Sequence, residues 1–137
     1  EFHVLSTTLR MGAGDAKVDN VSAGGIACAV REDGRLFEKS VTHKSEWADA
    51  HPSGIKFKDI RIPNYDKVVA TAKRLHENLP YFGIIGWDFS VDEDGEPVLI
   101  EFNLNPGQNQ ISTQRQTFGD LTDDVLRDVF VEKTLTE

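Results

Sequence analysis

The sequence predicts an α+β domain, a mainly antiparallel sheet with two flanking helices, and three observations predict it. Polar and apolar residues alternate through the first half and again in two stretches between Ile84 and Asn103. Asp-Gly pairs at Asp33-Gly34 and Asp94-Gly95 join alternating stretches, the strongest short hairpin signal. From Asn64 and from Leu121 the alternation gives way to a 3.6-residue repeat. Hairpin-joined strands with helices set apart from them imply an antiparallel sheet.

The 137 residues suit one domain, and 39% hydrophobic with 28% charged residues describes a globular chain with a real core. A formal charge of −8 argues against a nucleic-acid partner or an anionic membrane. No apolar run approaches the roughly 18 residues of a spanning helix, so membrane insertion is not expected. Glu1-Phe2-His3-Val4 lacks the basic start of a signal peptide, and the expected location is the cytoplasm. Cys28 stands alone in the alternation Ile26-Ala27-Cys28-Ala29-Val30 and reads as a small buried hydrophobe.

In order, Phe2 to Leu9, Gly25 to Arg31 and Arg35 to Val41 read as strands, the last two joined at Glu32-Asp33-Gly34. Met11 to Gly14 and Val21 to Gly25 are Gly-rich loop. Thr42 to Pro63 is a long loop with a short extended segment around Ile55, Phe57, Ile60 and Ile62. Asn64 caps a helix with apolar Val68, Ala72, Leu75 and Leu79, and Pro80 ends it. Ile84 to Val91 and Pro97 to Asn103 are strands around Asp92-Glu93-Asp94-Gly95. Asn105 to Gly119 is polar, and Leu121 to Lys133 is a closing helix capped by Asp120 or Thr122.

The second hairpin carries the chemistry. A two-residue Asp94-Gly95 turn pairs Glu93 with Glu96 and, counting back, Asp88 with Glu101 and Gly86 with Asn103. Trp87, Phe89, Val91, Val98, Ile100 and Phe102 then share an apolar face that reads as core, with Asp88, Ser90, Leu99, Glu101 and Asn103 on the other. Directly opposed carboxylates repel. One shared proton would relieve them, and so would a hard divalent cation that also takes the Asn103 amide oxygen. A three-residue turn with a bulge would shift this register, and a solvated acidic hairpin is the plain alternative.

Ser90, Asp92, Asp94, Gly95 and Glu101 also fall at positions 1, 3, 5, 6 and 12 of a calcium EF-hand loop. Ser replaces the first Asp, Pro97 cannot donate the bond that couples paired loops, and both flanks are strand-patterned, so that reading is rejected.

Asp88 followed thirteen residues later by Glu101-Phe102-Asn103-Leu104-Asn105-Pro106-Gly107 resembles the metal-binding end of the ATP-grasp fold, as in the D-alanine–D-alanine ligases. Leu9-Arg10-Met11-Gly12, Val18 to Ile26, His51-Pro52-Ser53-Gly54 and Ile85-Gly86-Trp87-Asp88 resemble the sugar-transfer-associated subgroup. The resemblance implies the C-terminal part of an ATP-grasp domain over residues 1–137, with the N-terminal part of the grasp, its phosphate-binding lysines and much of its adenine pocket, preceding Glu1. Both ends of the chain look abrupt, and the piece alone is expected to work poorly.

The resemblance implies ATP and Mg²⁺, with Mn²⁺ as an alternative, and a metal site of Asp88, Glu101 and Asn103. Arg10 would contact the transferred phosphoryl group as catalytic residue, where a planar cation stabilises developing charge; a surface ion pair is its bland reading. Asn20, Gly24 and Gly25 would approach the nucleotide, with a plain turn as the alternative. Leu99 is counted with them. Asn105 and Gly107 would line the acceptor side, though Pro-Gly is also an ordinary turn pair. Asp19 either holds Arg10 or caps the loop. His51 reads as loop packing, and Lys17 and Arg115 as solvated surface.

The leading expectation is an ATP- and Mg²⁺-dependent carboxylate ligase that joins a small-molecule carboxylate to an amine or similar nucleophile through an acyl phosphate. The subgroup's name points to sugar-polymer biosynthesis. Two other classes stay open: a non-catalytic metal- or ligand-binding module using the acidic hairpin, and an interaction domain whose acidic surface meets a basic partner.

Overall fold

In the computed structural model, which describes residues 1–12, 25–42, 44, 46–107 and 110–134, the alternating stretches form two antiparallel sheets. The first holds β1 (Thr8–Met11), β2 (Ile26–Ala29), β3 (Ser40–Thr42) and β4 (Trp47–Ala48) in that order. Thr8 faces Ala29, Arg10 faces Ala27 and Ala27 faces Val41. The second is a hairpin of β5 (Gly86–Val91) and β6 (Pro97–Asn103). The helices are α1 (Tyr65–His76), a four-residue α2 (Gln110–Thr113) and α3 (Thr122–Thr134), the last preceded by a 3-10 turn at Gly119–Leu121.

Every residue of β2 is buried, so the small side chains of Ile26-Ala27-Cys28-Ala29 let the strand lie in the centre of the core. Ile26, Cys28, Val30, Leu36, Phe57 and Tyr65 form that core. Phe57 comes from the long loop, on a 3-10 turn at Phe57–Asp59, and is wholly buried. Cys28 is buried as expected. The buried Ser40 hydroxyl donates to the Ala27 carbonyl at 2.7 Å, which satisfies it inside the sheet.

Several strands are shorter or shifted from the reading by alternation. The first begins at Thr8 rather than Phe2, and Arg35 to Val41 contains, before β3, the isolated bridges of Arg35 to Arg61 and Leu36 to Val30. Both Asp-Gly turns take one form. Arg31 N–H donates to Arg35 O at 2.7 Å and Asp92 N–H to Glu96 O at 3.0 Å, leaving three residues in each loop, with Gly34 and Gly95 at φ of +83° and +80°. A two-residue type I′ turn would need positive φ at the aspartates too, and neither Asp33 nor Asp94 has it.

Helix α1 ties the two sheets together. Tyr65 is buried in the core and its hydroxyl shares a 2.6 Å hydrogen bond with Thr7 Oγ1. Asn64 holds the cap position but with left-handed backbone and no capping bond; its amide donates instead to the Gly95 carbonyl at 2.8 Å. Lys67 pairs with Glu96 on the same hairpin. At the far end the His76 ring lies between Phe2 and Trp87, with centroids 5.8 and 6.4 Å away. Thr122 opens α3 and its hydroxyl donates to the Gly119 carbonyl at 2.6 Å. Leu126 and Val129 are about half exposed. Among the described residues no helix is long and apolar enough to cross a membrane.

Candidate functional site

Asp88 faces Glu101 and Gly86 faces Asn103, as the hairpin count predicts. The intermediate steps differ. The three-residue turn places Val91 opposite Pro97, Ser90 opposite Val98 and Phe89 opposite Leu99, one step out of the expected register. Ile100 is then an extra residue without a partner, and this bulge restores the expected register at Asp88. Two departures of one residue cancel.

The cancellation corrects two expectations. Leu99 was placed on the Asp88 face; opposite Phe89 it belongs to the other face, with Trp87 and Phe102. The apolar face is also not a closed core. Ile100, Phe102 and Leu99 are 63%, 47% and 41% exposed, with β6 having only β5 beside it among the described strands, while Val98, opposite Ser90, moves to the Asp88 face. Trp87 and Phe89 on β5 are half-buried, and the Trp87 ring packs on Phe102 at 5.5 Å.

Arg10, on β1, reaches across to the hairpin and pairs with Asp88, Nη2 to Oδ2 at 3.1 Å. This contact between residues 78 apart closes the four-stranded sheet onto the acidic pair. Burial raises the Asp88 carboxyl above its ordinary value; Arg10 opposes the shift and Glu101 adds to it. The Asn103 amide donates to Glu101 Oε1 at a long 3.4 Å, so Asn103 stands on the carboxylate face. Asp19, the sequence candidate for holding Arg10, lies outside the described residues, as do Asn20, Gly24 and Lys17. Gly25 is buried just ahead of Ile26, whose partner is Met11, and so precedes the last ladder pair of β1 with β2.

Gly86 explains how the loop after β6 turns back. A Cβ there would sit 2.8 Å from the Pro106 Cβ and 3.8 Å from the Asn103 Cβ. The space beside Asn103 that the sequence shows as a missing side chain is filled by Pro106. Asn105 and Gly107 flank that proline and are exposed. Arg115 pairs with Glu32 at 3.4 Å, in keeping with a surface role.

Among the described residues no group of three or more His, Cys, Asp or Glu side chains could hold a metal ion. Two opposed carboxylates and an amide are hard oxygen donors too few to enclose a cation. They suit Mg²⁺, which completes its shell with water and phosphate oxygens. The donor set therefore fits an open magnesium site.

An α+β chain of antiparallel sheets and helices, with this hairpin, fits an ATP-grasp subdomain. The family model described as sugar-transfer associated ATP-grasp matches residues 1–123, and the chain belongs to that family. No curated protein and no solved structure matches it.

Proposed function

We propose that this chain is the metal-bearing C-terminal part of an ATP-grasp carboxylate ligase, with the adenine pocket supplied by another part of the same protein. The observation that carries the reading is Asp88 opposed to Glu101, with Asn103 on their face and Arg10 drawn to them from β1. ATP-grasp membership supports ATP as the phosphoryl donor. Asp88, Glu101 and Asn103 would hold Mg²⁺, which supplies charge neutralisation at the β- and γ-phosphates. Mn²⁺ would fit the same oxygens.

The side chains then do little covalent work. Arg10 exchanges its Asp88 partner for the γ-phosphoryl oxygens and steadies the charge that develops there. A substrate carboxylate oxygen takes the phosphoryl group, ADP leaves, and an amine displaces phosphate from the resulting acyl phosphate with loss of its proton. The loop of Asn105 and Gly107, held down by Pro106, lines the acceptor side. The family's description associates it with sugar transfer, which supports sugar-polymer biosynthesis as the setting of the reaction.

The test is titration of the full-length protein with a non-hydrolysable ATP analogue, with and without Mg²⁺, beside ATP turnover against candidate carboxylates and amines. Asp88→Asn and Glu101→Gln should each weaken the Mg²⁺-dependent binding at least tenfold. Binding and turnover unchanged in both would refute the ligase reading. Stabilisation by Ca²⁺ with no nucleotide effect would favour a non-catalytic module.

A further inference from the structure

His51 makes a tertiary contact that no strand ladder accounts for. Its Nε2 lies 2.7 Å from the carbonyl oxygen of Gly12, 39 residues away, while its Nδ1 receives the Ser53 N–H at 3.1 Å and lies 2.8 Å from the Ser53 hydroxyl. A carbonyl only accepts, so Nε2 must carry a proton; Nδ1 accepts an N–H, so it must not. Both nitrogens are thereby assigned, and the imidazole is the neutral Nε2–H form.

The ring is held by a rigid support. His51 N–H donates to Ile55 O at 2.9 Å, Gly54 N–H donates to His51 O at 2.8 Å, and Gly54 sits at φ +91°, closing a tight turn. Just beyond it, Ala50 bridges Lys56, and the Phe57 N–H donates to Asp49 O at 3.1 Å while the Phe57 ring is wholly buried in the core. The turn is thus anchored to the core within a few residues of His51. The Gly12 carbonyl lies past the last ladder pair, Met11 with Ile26, and two residues after Arg10.

From this we infer that His51 is a positioning residue for Arg10: its Nε2–H, fixed by Ser53, pins the Gly12 carbonyl and so sets the end of β1 from which Arg10 reaches the acidic pair. The inference rests on the reading of Arg10 as the group that meets the transferred phosphoryl. It goes beyond that reading by assigning His51-Pro52-Ser53-Gly54 a part in the site, although the described hydrogen bonds of His51 run to Gly12 and within its own turn rather than to the carboxylates.

Two substitutions separate the arms of the imidazole. Gln at 51 keeps a donor near the Nε2 position; Asn keeps a group near Nδ1 and is too short to reach Gly12. In the full-length protein, His51→Asn should lower ATP turnover roughly tenfold at unchanged KM for nucleotide, because a small misplacement of a transition-state contact acts on the chemical step. His51→Gln should recover turnover to within about threefold of the wild type, the residual loss expected of one weakened neutral hydrogen bond. Melting curves of both variants establish that they are folded. Nitrogen NMR of the His51 ring, run without nucleotide, should show Nε2 protonated and Nδ1 bare.

A proton on Nδ1 overturns the inference whatever the enzyme does. So does equal turnover in His51→Asn and His51→Gln, or a loss confined to KM, when Arg10→Ala abolishes turnover; the ligase reading then survives. If Arg10→Ala leaves turnover intact, the role given to Arg10 fails, and the inference falls with it.

Discussion

Glu101→Gln should stabilise the protein without ligand and at the same time remove its response to magnesium and nucleotide. In the free protein Glu101 faces Asp88 directly, and the described ion pair at the site, Arg10 at 3.1 Å, is made with Asp88. Neutralising Glu101 therefore removes repulsion and spares the ion pair, and Gln Oε1 still accepts from Asn103. Opposed like charges on a strand pair cost up to about 1 kcal/mol. With both groups reached by water, about 0.5 kcal/mol is a fair value here. An unfolding entropy of about 2.1 cal/mol/K per residue, applied to 137 residues, makes that a rise of about 2 °C in Tm. A ligand at a hundred times its dissociation constant stabilises by about 2.7 kcal/mol, or about 9 °C on the same scale. Differential scanning fluorimetry of wild type and variant, each with and without Mg²⁺ and ATP analogue, reads both numbers. Asp88→Asn is the contrast: it relieves the same repulsion but loses the Arg10 pair, so its ligand-free Tm should stay near the wild type. A Glu101→Gln protein that melts lower without ligand, or that keeps the full ligand shift, would refute the argument.

Gly86→Ala should destabilise by about 1–3 kcal/mol, since its Cβ would meet Pro106 at 2.8 Å and strand or loop must move; chemical denaturation checks it, and wild-type stability would mean that Pro106 is not seated there. Burial pushes the Cys28 thiol up, only partly offset by its bonds to Ser40 and Phe37, so thiol reagents should label it at the rate of global unfolding; labelling within seconds in the folded protein would contradict this. The Arg35 backbone N–H and then its side chain hold the Asp33 carboxyl below the ordinary 3.8. A lowered folded value contributes stability above the unfolded value and loses it as pH falls through the folded one. Acid titration of stability should therefore show a steeper loss below about pH 4 in the wild type than in Asp33→Asn, and parallel curves would count against the assignment.

The sequence carried the placement of the acidic pair because local signals reach that far: an Asp-Gly turn, two alternating strands and a count between them. It could not carry the path. Asp-Gly marks a turn without saying whether the aspartate also adopts positive φ, and nothing in Val98-Leu99-Ile100 marks which residue bulges. The count paired Ile100 with Phe89 on the face read as core, and the bulge leaves it unpaired and exposed. Arg10 was legible as a candidate through resemblance, yet its partner Asp88 lies 78 residues on, a contact set by tertiary packing. Asn64 was legible as a helix start; that its amide would serve Gly95 instead of the helix depended on the hairpin lying alongside α1. His51 offered only a loop motif until the Gly12 carbonyl was in place.

The bulge at Ile100 also makes the hairpin tolerant of change at its tip. Because phase is reset between Leu99 and Glu101, the carboxylate end and the turn end are separate modules with respect to register. Deleting Ile100 alone would place Glu101 directly after Leu99 and leave it opposite Asp88 on a straighter, continuous ladder. Insertions of a residue or two at Glu93-Asp94 can be absorbed the same way, by lengthening the turn, so this surface tip is where the hairpin can vary in length without moving its carboxylates.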